Sequence, residues 1–387
     1  KTKILMLVID GLGGLPHPDS GKSELETANL PNLDRLAASG SCGLISPLGG
    51  GFTPGSGPAH LALFGYDPWK SEIGRGALSA LGLGVDFRPG DVASRLNFCT
   101  VDDVGNVTDR RAGRIPTEKG RALCDLLDAV DIPGVQVSVA AEMEYRAGVV
   151  FRGEGLSDGV GDSDPQGTGI PPRALVSQGR ESERMVEVAN EFLAQARDIL
   201  ADQDPANMVL MRGFGRYPEL AQFDDVYGLR ALGIAGYPMY RGVAGAVGMD
   251  TVEVNWDIDS ECALYEERFA DYDFVYMHVK KTDSAGEDGD FDRKVTLLEE
   301  VDSYVPRLLA QKPDVVVVTG DHSTPSIMRS HSWHPVPTLV HSAFSLADGT
   351  QHFSERGCQL GSLGVMPSSA LMSYVLAHAQ RLDKFGA

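Results

Sequence analysis

The chain has few cysteines, a shortage of basic residues and no long apolar run, and each scarcity narrows what it can be. Five cysteines (Cys42, Cys99, Cys124, Cys262 and Cys358) among 387 residues are odd in number, widely spaced and without a CxxC pair. That excludes a zinc ribbon or a dithiol redox motif; each cysteine is expected as a small buried side chain, and a reducing cytoplasm as the location. No window approaches the roughly 18 consecutive apolar residues of a membrane-spanning helix. The apolar run Ile4–Ile9 is too short for a signal-peptide core and leads straight into Asp10, so no membrane association is expected. Lys and Arg number 34 against 54 Asp and Glu, a formal charge of −20. This argues against sequence-independent nucleic-acid binding, which needs clustered positive charge. An anionic ligand would require a local basic pocket in an acidic surface.

What is present reads as an α/β protein. Hydrophobic residues make up 42% of the chain, ample for a core. The length implies one large domain with a smaller insertion, or two domains. Short β-branched runs alternate with longer stretches of helical spacing. Strands are expected at Ile4–Ile9, Met208–Arg212, Phe274–Val279 and Val315–Thr319. Helices are expected at Leu30–Ser39, capped by Asn29 with Pro31 early and Gly40 at its end, at Glu181–Leu200 and at Asp292–Ala310. Shorter pieces, including Val135–Ala140 and Ala147–Arg152, mark residues 111–200 as an inserted α+β domain, with 1–110 and 201–387 forming the main domain. Nothing in the sequence specifies an oligomer.

Three of the strands end in chemistry. Ile9 is followed by Asp10, Val279 by Lys280 and then Asp283, and Thr319 by Gly320, Asp321 and His322. In open α/β sheets ligands lie beyond the carboxyl ends of strands, so these side chains are expected at one edge. Asp321 and His322, with His331 and His334 further on, are typical ligands for zinc or manganese, although a helix cap and surface histidines explain them as well. Asp283 and Glu287 would converge on one ion if their loop turns into a helix, while Asp288 and Asp290 read as solvated. Asp10 precedes Gly11, Gly13 and Gly14, but Pro16 stands where a dinucleotide fingerprint needs its third glycine. Ser56, in Thr53–His60, opens a helix after a Gly/Pro turn; it is an ordinary cap or a nucleophile that a metal would activate. Pro54 and Pro58 rule out a lipase-type elbow. Arg75, Arg95, Arg110, Arg111, Arg114, Arg146, Arg152 and Lys280 supply positive charge, several of them in Gly-rich loops, and arginine's planar fork suits phosphate and carboxylate.

Together these segments resemble the archaeal-type 2,3-bisphosphoglycerate-independent phosphoglycerate mutases, a branch of the alkaline phosphatase superfamily. The likeness runs through ILMLVIDGLGG at Ile4, ETANLPNLDRLAASG at Glu26, TPGSGPAHLALFGYDP at Thr53 and GRGALSALGLGV at Gly74. It continues through LNFCTVDDVGNVTDRRAGRI at Leu96, VVFRGEGLSDGVGDSDP at Val149, VTGDHSTP at Val318 and HSWHPVP at His331. The resemblance implies an alkaline-phosphatase-like core, a mostly parallel sheet flanked by helices, with a smaller inserted substrate-binding cap. It implies two divalent cations, one on Asp10, Ser56, Asp321 and His322, the other on Asp283, Glu287 and His331. Manganese is expected, with zinc, magnesium or cobalt as alternatives, and no 2,3-bisphosphoglycerate. Ser56 would become phosphoserine, Arg110 and Lys280 would act in catalysis, and Asp109 would shuttle protons between the hydroxyls. Arg75, Arg95, Arg111, Arg114, Arg146 and Arg152 would hold the small phosphorylated carboxylic acid. Two departures stand out: Glu287 where many relatives carry His, which makes the site harder, and Gly57–Pro58 beside the nucleophile. A metal-dependent phosphohydrolase, or a mutase of another phosphorylated or phosphonate substrate, would use the same core. A non-catalytic ligand-binding α/β protein is the alternative of a different class.

Overall fold

The computed structural model describes residues 2–71, 73–384 and 386. The chain forms two compact units, Lys1–Glu72 with Ala221–Ala387, and Ile73–Leu220. Thirteen strands are described: β1 (Ile4–Ile9), β2 (Ser41–Ser46), β3 (Val92–Val101), β4 (Val107–Asp109), β5 (Val135–Met143), β6 (Arg146–Gly153), β7 (Met208–Arg216), β8 (Ala231–Ala235), β9 (Asp250–Thr251), β10 (Phe274–Val279), β11 (Val315–Thr319), β12 (Val336–Ser342) and β13 (Gly364–Pro367).

The first unit is built on an eight-stranded sheet of order β13-β2-β12-β11-β1-β10-β8-β9. β1, all six of whose residues are buried, pairs in parallel with β10 on one side and β11 on the other. Continuous apolar runs of this kind belong to strands covered on both faces. The register sets Ile9 beside Val279 and Val8 beside Thr319, so the residues that follow each strand emerge together. Only β12 runs antiparallel to its neighbours β11 and β2, leaving the sheet mostly parallel and flanked by helices, as expected.

Two helices tie into one another at the back of this sheet. The helix Phe291–Ala310 is capped by Asp290, which accepts from the Arg293 amide at 3.0 Å, and buries Lys294, Leu298, Val301, Asp302, Val305 and Leu308 on one face. Asp302 reaches the start of the helix Pro31–Ser39, accepting from the Leu33 amide at 2.8 Å and the Asn32 amide at 3.1 Å. The expected Asn29 cap is therefore replaced: Leu30 stands at the cap without a side-chain bond, and a buried carboxylate from another helix satisfies the free amides.

The second unit is an antiparallel sheet in which β3 lies between β6 and β7, with β4 and β5 beyond. Its core packs the sheet against the helices Thr117–Leu127 and Glu183–Leu200 through Leu123, Leu127, Phe151, Met185, Phe192 and Leu200. Phe151 and Phe192 meet edge to face at 5.5 Å. The second unit, Ile73–Leu220, is longer than the expected insertion of 111–200, because β3, assigned to the main domain from the sequence, pairs with β6 from Val92 to Asn97 and brings β7 with it through pairing from Val92 to Cys99. All five cysteines are free and buried. Among the described residues no helix is long and apolar enough to cross a membrane.

One buried acid gives the first unit a pH signature. Glu261 is 3% exposed, and its Oε1 accepts from the Gly236 amide at 3.1 Å. Burial, with Asp257 adding to it and Lys281 opposing, pushes its pKa from 4.5 to about 8. The folded state therefore holds a proton that the unfolded state releases above about pH 4.5, so stability falls as pH rises from there and levels off beyond about 8. Glu261→Gln, which keeps an acceptor for Gly236 and cannot ionise, should flatten that decline by up to roughly 1 kcal/mol per pH unit. Urea denaturation of both proteins at several pH values between 5 and 8 checks it; parallel slopes would refute it.

Candidate active site

Asp10, Lys280 with Asp283, and Asp321 with His322 leave adjacent parallel strands and meet at one sheet edge. Asp10, Asp321 and His322 are 0% exposed and Asp283 is 1% exposed. His322 Nε2 lies 3.1 Å from Asp321 Oδ2, 3.4 Å from Asp10 Oδ1 and 3.3 Å from Ser56 Oγ. Ser56 is the first residue of the helix Ser56–Leu63, after Gly55 at the cap, so it is not a cap serine.

The hydrogen-bond network decides which histidine nitrogens carry protons. The Thr324 hydroxyl donates its single proton to Asp283 Oδ1 at 2.6 Å, so the His322 Nδ1 facing it at 3.0 Å is the donor in that contact. The bare lone pair of His322 Nε2 then faces carboxylate oxygens, Asp10 Oδ1 and Asp321 Oδ2, which themselves have no partner. His331 repeats the pattern. Its Nδ1 donates to the Pro54 carbonyl at 2.9 Å, leaving Nε2 toward Asp283 Oδ1 at 3.6 Å and Glu287 Oε1 at 3.7 Å. Lone pairs opposed in a dry place repel unless a proton or a cation stands between them. Fixing the remote nitrogen of each imidazole by a hydrogen bond is the usual support of a metal ligand. Among the described residues, two groups have the spacing to hold a metal ion: Asp10, Asp321 and His322, and Asp283, His322 and His331. His322 stands within reach of both groups, where it was expected with the first alone. Glu287 does follow Asp283 by one helical turn in Lys281–Asp288. Its side chain is 53% exposed, however, and its Oε1 stands 3.7 Å from His331 Nε2.

Charges around these groups are set by burial and by neighbours. Burial opposes ionisation of Asp10, but Lys280 Nζ and His278 Nε2, each 3.2 Å from Oδ2, hold its carboxyl well below the usual range. The Tyr240 hydroxyl donates to the same oxygen at 2.5 Å. Burial and the nearby Asp10 and Asp283 push Asp321 well up. Burial works against the Lys280 ammonium, and Asp10 and Asp283, which it also hydrogen-bonds, overcome that and raise its pKa. Burial drives His60 down to about 3, so it is neutral and donates Nδ1–H to the Ser56 carbonyl at 2.8 Å. His334 bonds Ser332 and stacks on Trp333 instead of joining either group.

A buried lysine absent from the sequence expectations holds the loops that follow Asp10 and His322. Lys294 is 0% exposed, and its ammonium donates to the carbonyls of Gly11 at 2.8 Å, Gly13 at 3.1 Å and Thr324 at 2.9 Å. Three donors meet three acceptors, from the loops after β1 and β11. Gly11 has φ +63, and a Cβ there would lie 2.6 Å from Thr324 Oγ1 and 2.9 Å from Asp283 Oδ1. The Gly-rich start of that loop is what permits this approach.

The arginines of the second unit line a cavity of about 230 Å³ formed by Arg75, Arg95, Asn97, Arg110, Arg111, Tyr145, Arg146 and Arg212. Four of the six arginines expected to bind substrate stand there, with Arg110. Arg152 does not: it is bound to Asp91 at 2.7 Å and Asp86 at 3.1 Å. Arg114, 59% exposed, lies 3.9 Å from Glu144 and also stands outside the cavity lining. Asp109, expected as a proton shuttle, accepts from the amides of Arg111 and Gly113, at 2.8 and 2.7 Å. Sequence reading missed Arg212, whose only signal was its place at the end of an apolar strand. It also missed the buried carboxylates Asp164 and Glu142, bonded to Arg110 and Arg95.

A family model described as 2,3-bisphosphoglycerate-independent phosphoglycerate mutase matches residues 37–207 of the chain. A probable 2,3-bisphosphoglycerate-independent phosphoglycerate mutase of Thermus thermophilus is 48% identical over 391 aligned residues, covering 100% of this chain and 96% of its own length. Among solved structures, a Pyrococcus horikoshii protein has a TM-score of 0.86 at 29% identity, covering 100% of both chains. The cofactor-independent phosphoglycerate mutase of Thermoplasma acidophilum has a TM-score of 0.72 at 30% identity, over 98% of this chain and 100% of that one.

Lys294→Met, similar in length but without donors, strands three carbonyls beside the ligand loops. It should destabilise the first unit by about 3–5 kcal/mol and speed amide exchange at residues 11–14 and 324. Urea denaturation with hydrogen-exchange mass spectrometry measures both; wild-type protection at these amides would contradict the assigned role.

Proposed function

Because the chain belongs to the 2,3-bisphosphoglycerate-independent phosphoglycerate mutase family, we propose that it interconverts 3-phosphoglycerate and 2-phosphoglycerate through a phosphoserine at Ser56. The observation that carries this is Ser56 Oγ, 3.3 Å from His322 Nε2 at a helix N-terminus, in a setting of buried carboxylates and imidazole lone pairs that calls for cations. Asp10, Ser56, Asp321 and His322 would hold one divalent ion, and Asp283 and His331, with Glu287 at the rim, the other. Carboxylate-rich donors favour manganese, with zinc, magnesium or cobalt also compatible. Such ions, when bound, neutralise phosphoryl charge and acidify a coordinated hydroxyl.

The chain's own groups then have defined tasks. Ser56 Oγ loses its proton and bonds to phosphorus as the bond from phosphorus to the C3 oxygen breaks, and that oxygen takes up a proton. In the return the C2 hydroxyl loses its proton and bonds to phosphorus, the bond to Ser56 Oγ breaks, and the serine is reprotonated. No phosphate passes to water and no bisphosphoglycerate is consumed. The amides at the start of Ser56–Leu63 favour the phosphoryl anion, and Lys280 beside Asp10 and Asp283 supplies a further positive group. In the second unit six guanidiniums line the cavity, and three carboxylates pair with three of them: Asp162 with Arg212 at 3.8 Å, Asp164 with Arg110 at 2.7 Å and with Arg212 at 3.3 Å, and Glu142 with Arg95 at 3.3 Å. Guanidiniums thus outnumber the carboxylates bound to them, which suits a ligand carrying both a phosphate and a carboxylate. This supports placing the phosphorylated acid there, in a route such as glycolysis or gluconeogenesis.

An enolase-coupled assay without added bisphosphoglycerate should show 3-phosphoglycerate turnover that chelation abolishes and manganese restores. Ser56→Ala should be inactive, and Arg111→Ala should raise KM by about 10- to 100-fold, the worth of one charge-assisted bond. Release of inorganic phosphate without 2-phosphoglycerate would reject the mutase in favour of a phosphohydrolase.

A further inference from the structure

Resting on the arginine cavity as the substrate site, we propose that Asp164 is a positioning residue that fixes Arg110 and Arg212 in their working orientation and holds the cavity's affinity for anions down. Asp164 is 0% exposed. Its Oδ1 accepts from Arg110 Nε and the Gln166 amide, both at 2.8 Å. Its Oδ2 accepts from Arg110 Nη2 at 2.7 Å and lies 3.3 Å from Arg212 Nη1. Four donors surround one carboxylate, which leaves it no capacity for a ligand. Burial opposes its charge, and Arg110 foremost keeps its carboxyl below the usual range.

The two-bond fork to Arg110 fixes the plane of that guanidinium, since a planar cation bound through Nε and one Nη cannot rotate about its last bond. Arg110 is 29% and Arg212 28% exposed at the side chain, so each is anchored below while part of it reaches the cavity. A buried carboxylate so close to the site also repels any bound anion. It thereby lowers ground-state binding while improving alignment, the trade that favours turnover.

The sign of this effect sets it apart from mere support of the fold. In Asp164→Asn the side chain keeps its shape and Oδ1 can still accept from Arg110 and Gln166. Its new NH2 group, however, faces the donors of Arg110 and Arg212 and releases them, and one negative charge is gone. Inorganic phosphate, titrated calorimetrically into the full-length protein at low ionic strength, should bind several-fold tighter, while kcat for 3-phosphoglycerate falls at least tenfold and KM does not rise. Asp164→Glu restores the charge but not the geometry. It should bind phosphate with wild-type affinity and keep the low kcat, and it decides the matter should the Asn variant fail to fold. Weaker phosphate binding in Asp164→Asn, or wild-type kcat in either folded variant, would overturn the proposal. Unchanged phosphate affinity in Arg111→Ala would instead remove the substrate assignment of the cavity, whatever Asp164 does.

Discussion

β1 is flanked on both sides by strands running in its own direction, β10 and β11, and their register brings three chain segments out of the sheet abreast. The placement of Asp10, Asp283 and Asp321 depends on this. Asp10 has no freedom to leave, because the strand before it is buried throughout and bonded along both edges. Asp283 and Asp321 are carried to it by β10 and β11. The cost is a concentration of negative charge and imidazole lone pairs away from water, tolerable only because the sheet and its helices are stable enough to impose it.

The two units manage charge in mirror fashion. In the first, acidic groups gather at the site and buried ammonium ions hold the frame: Lys280 bridges Asp10 and Asp283, and Lys294 gathers three backbone carbonyls. In the second, guanidiniums gather around a cavity and buried carboxylates hold them, Asp164 under Arg110 and Arg212, Glu142 under Arg95. In the second unit the counter-charge is dry and the functional charge is partly exposed, so a ligand meets groups whose orientation was fixed at folding. A chain of net charge −20 can in this way present a strongly positive cavity for anions.

Much of the first unit could be read from sequence because its signals are local. Six apolar residues ending in Asp10, a helical spacing between Asp283 and Glu287, and a lone serine after a Gly/Pro turn each carry their meaning within a few positions. What escaped was set by distant partners. Nothing local in β3 and β7 marks their unit; the pairing of β3 with β6 and with β7 assigns them to the second. Arg114 and Arg152 have the same appearance as Arg110 and Arg111, and what separates them is the acids they meet, Glu144 in one case and Asp86 with Asp91 in the other. Lys294 sits in an amphipathic helix where a lysine reads as solvent-facing, and the carbonyls it serves come from loops more than 30 positions away or, for Thr324, 30.

Thr324 shows why the acidic site behaves as one unit instead of two adjoining ones. Its hydroxyl donates to Asp283 and accepts from His322, and its carbonyl is held by Lys294. One residue thus fixes the protonation of the shared histidine, the orientation of a carboxylate from the neighbouring strand, and the loop that carries both itself and His322. Because His322 stands in both potential metal groups, its ring cannot turn toward one without affecting the other. The closeness of approach that makes this possible is granted by Gly11, where a side chain would strike that same hydroxyl. A small residue on β1's exit and a threonine on β11's exit are therefore complementary requirements of one geometry.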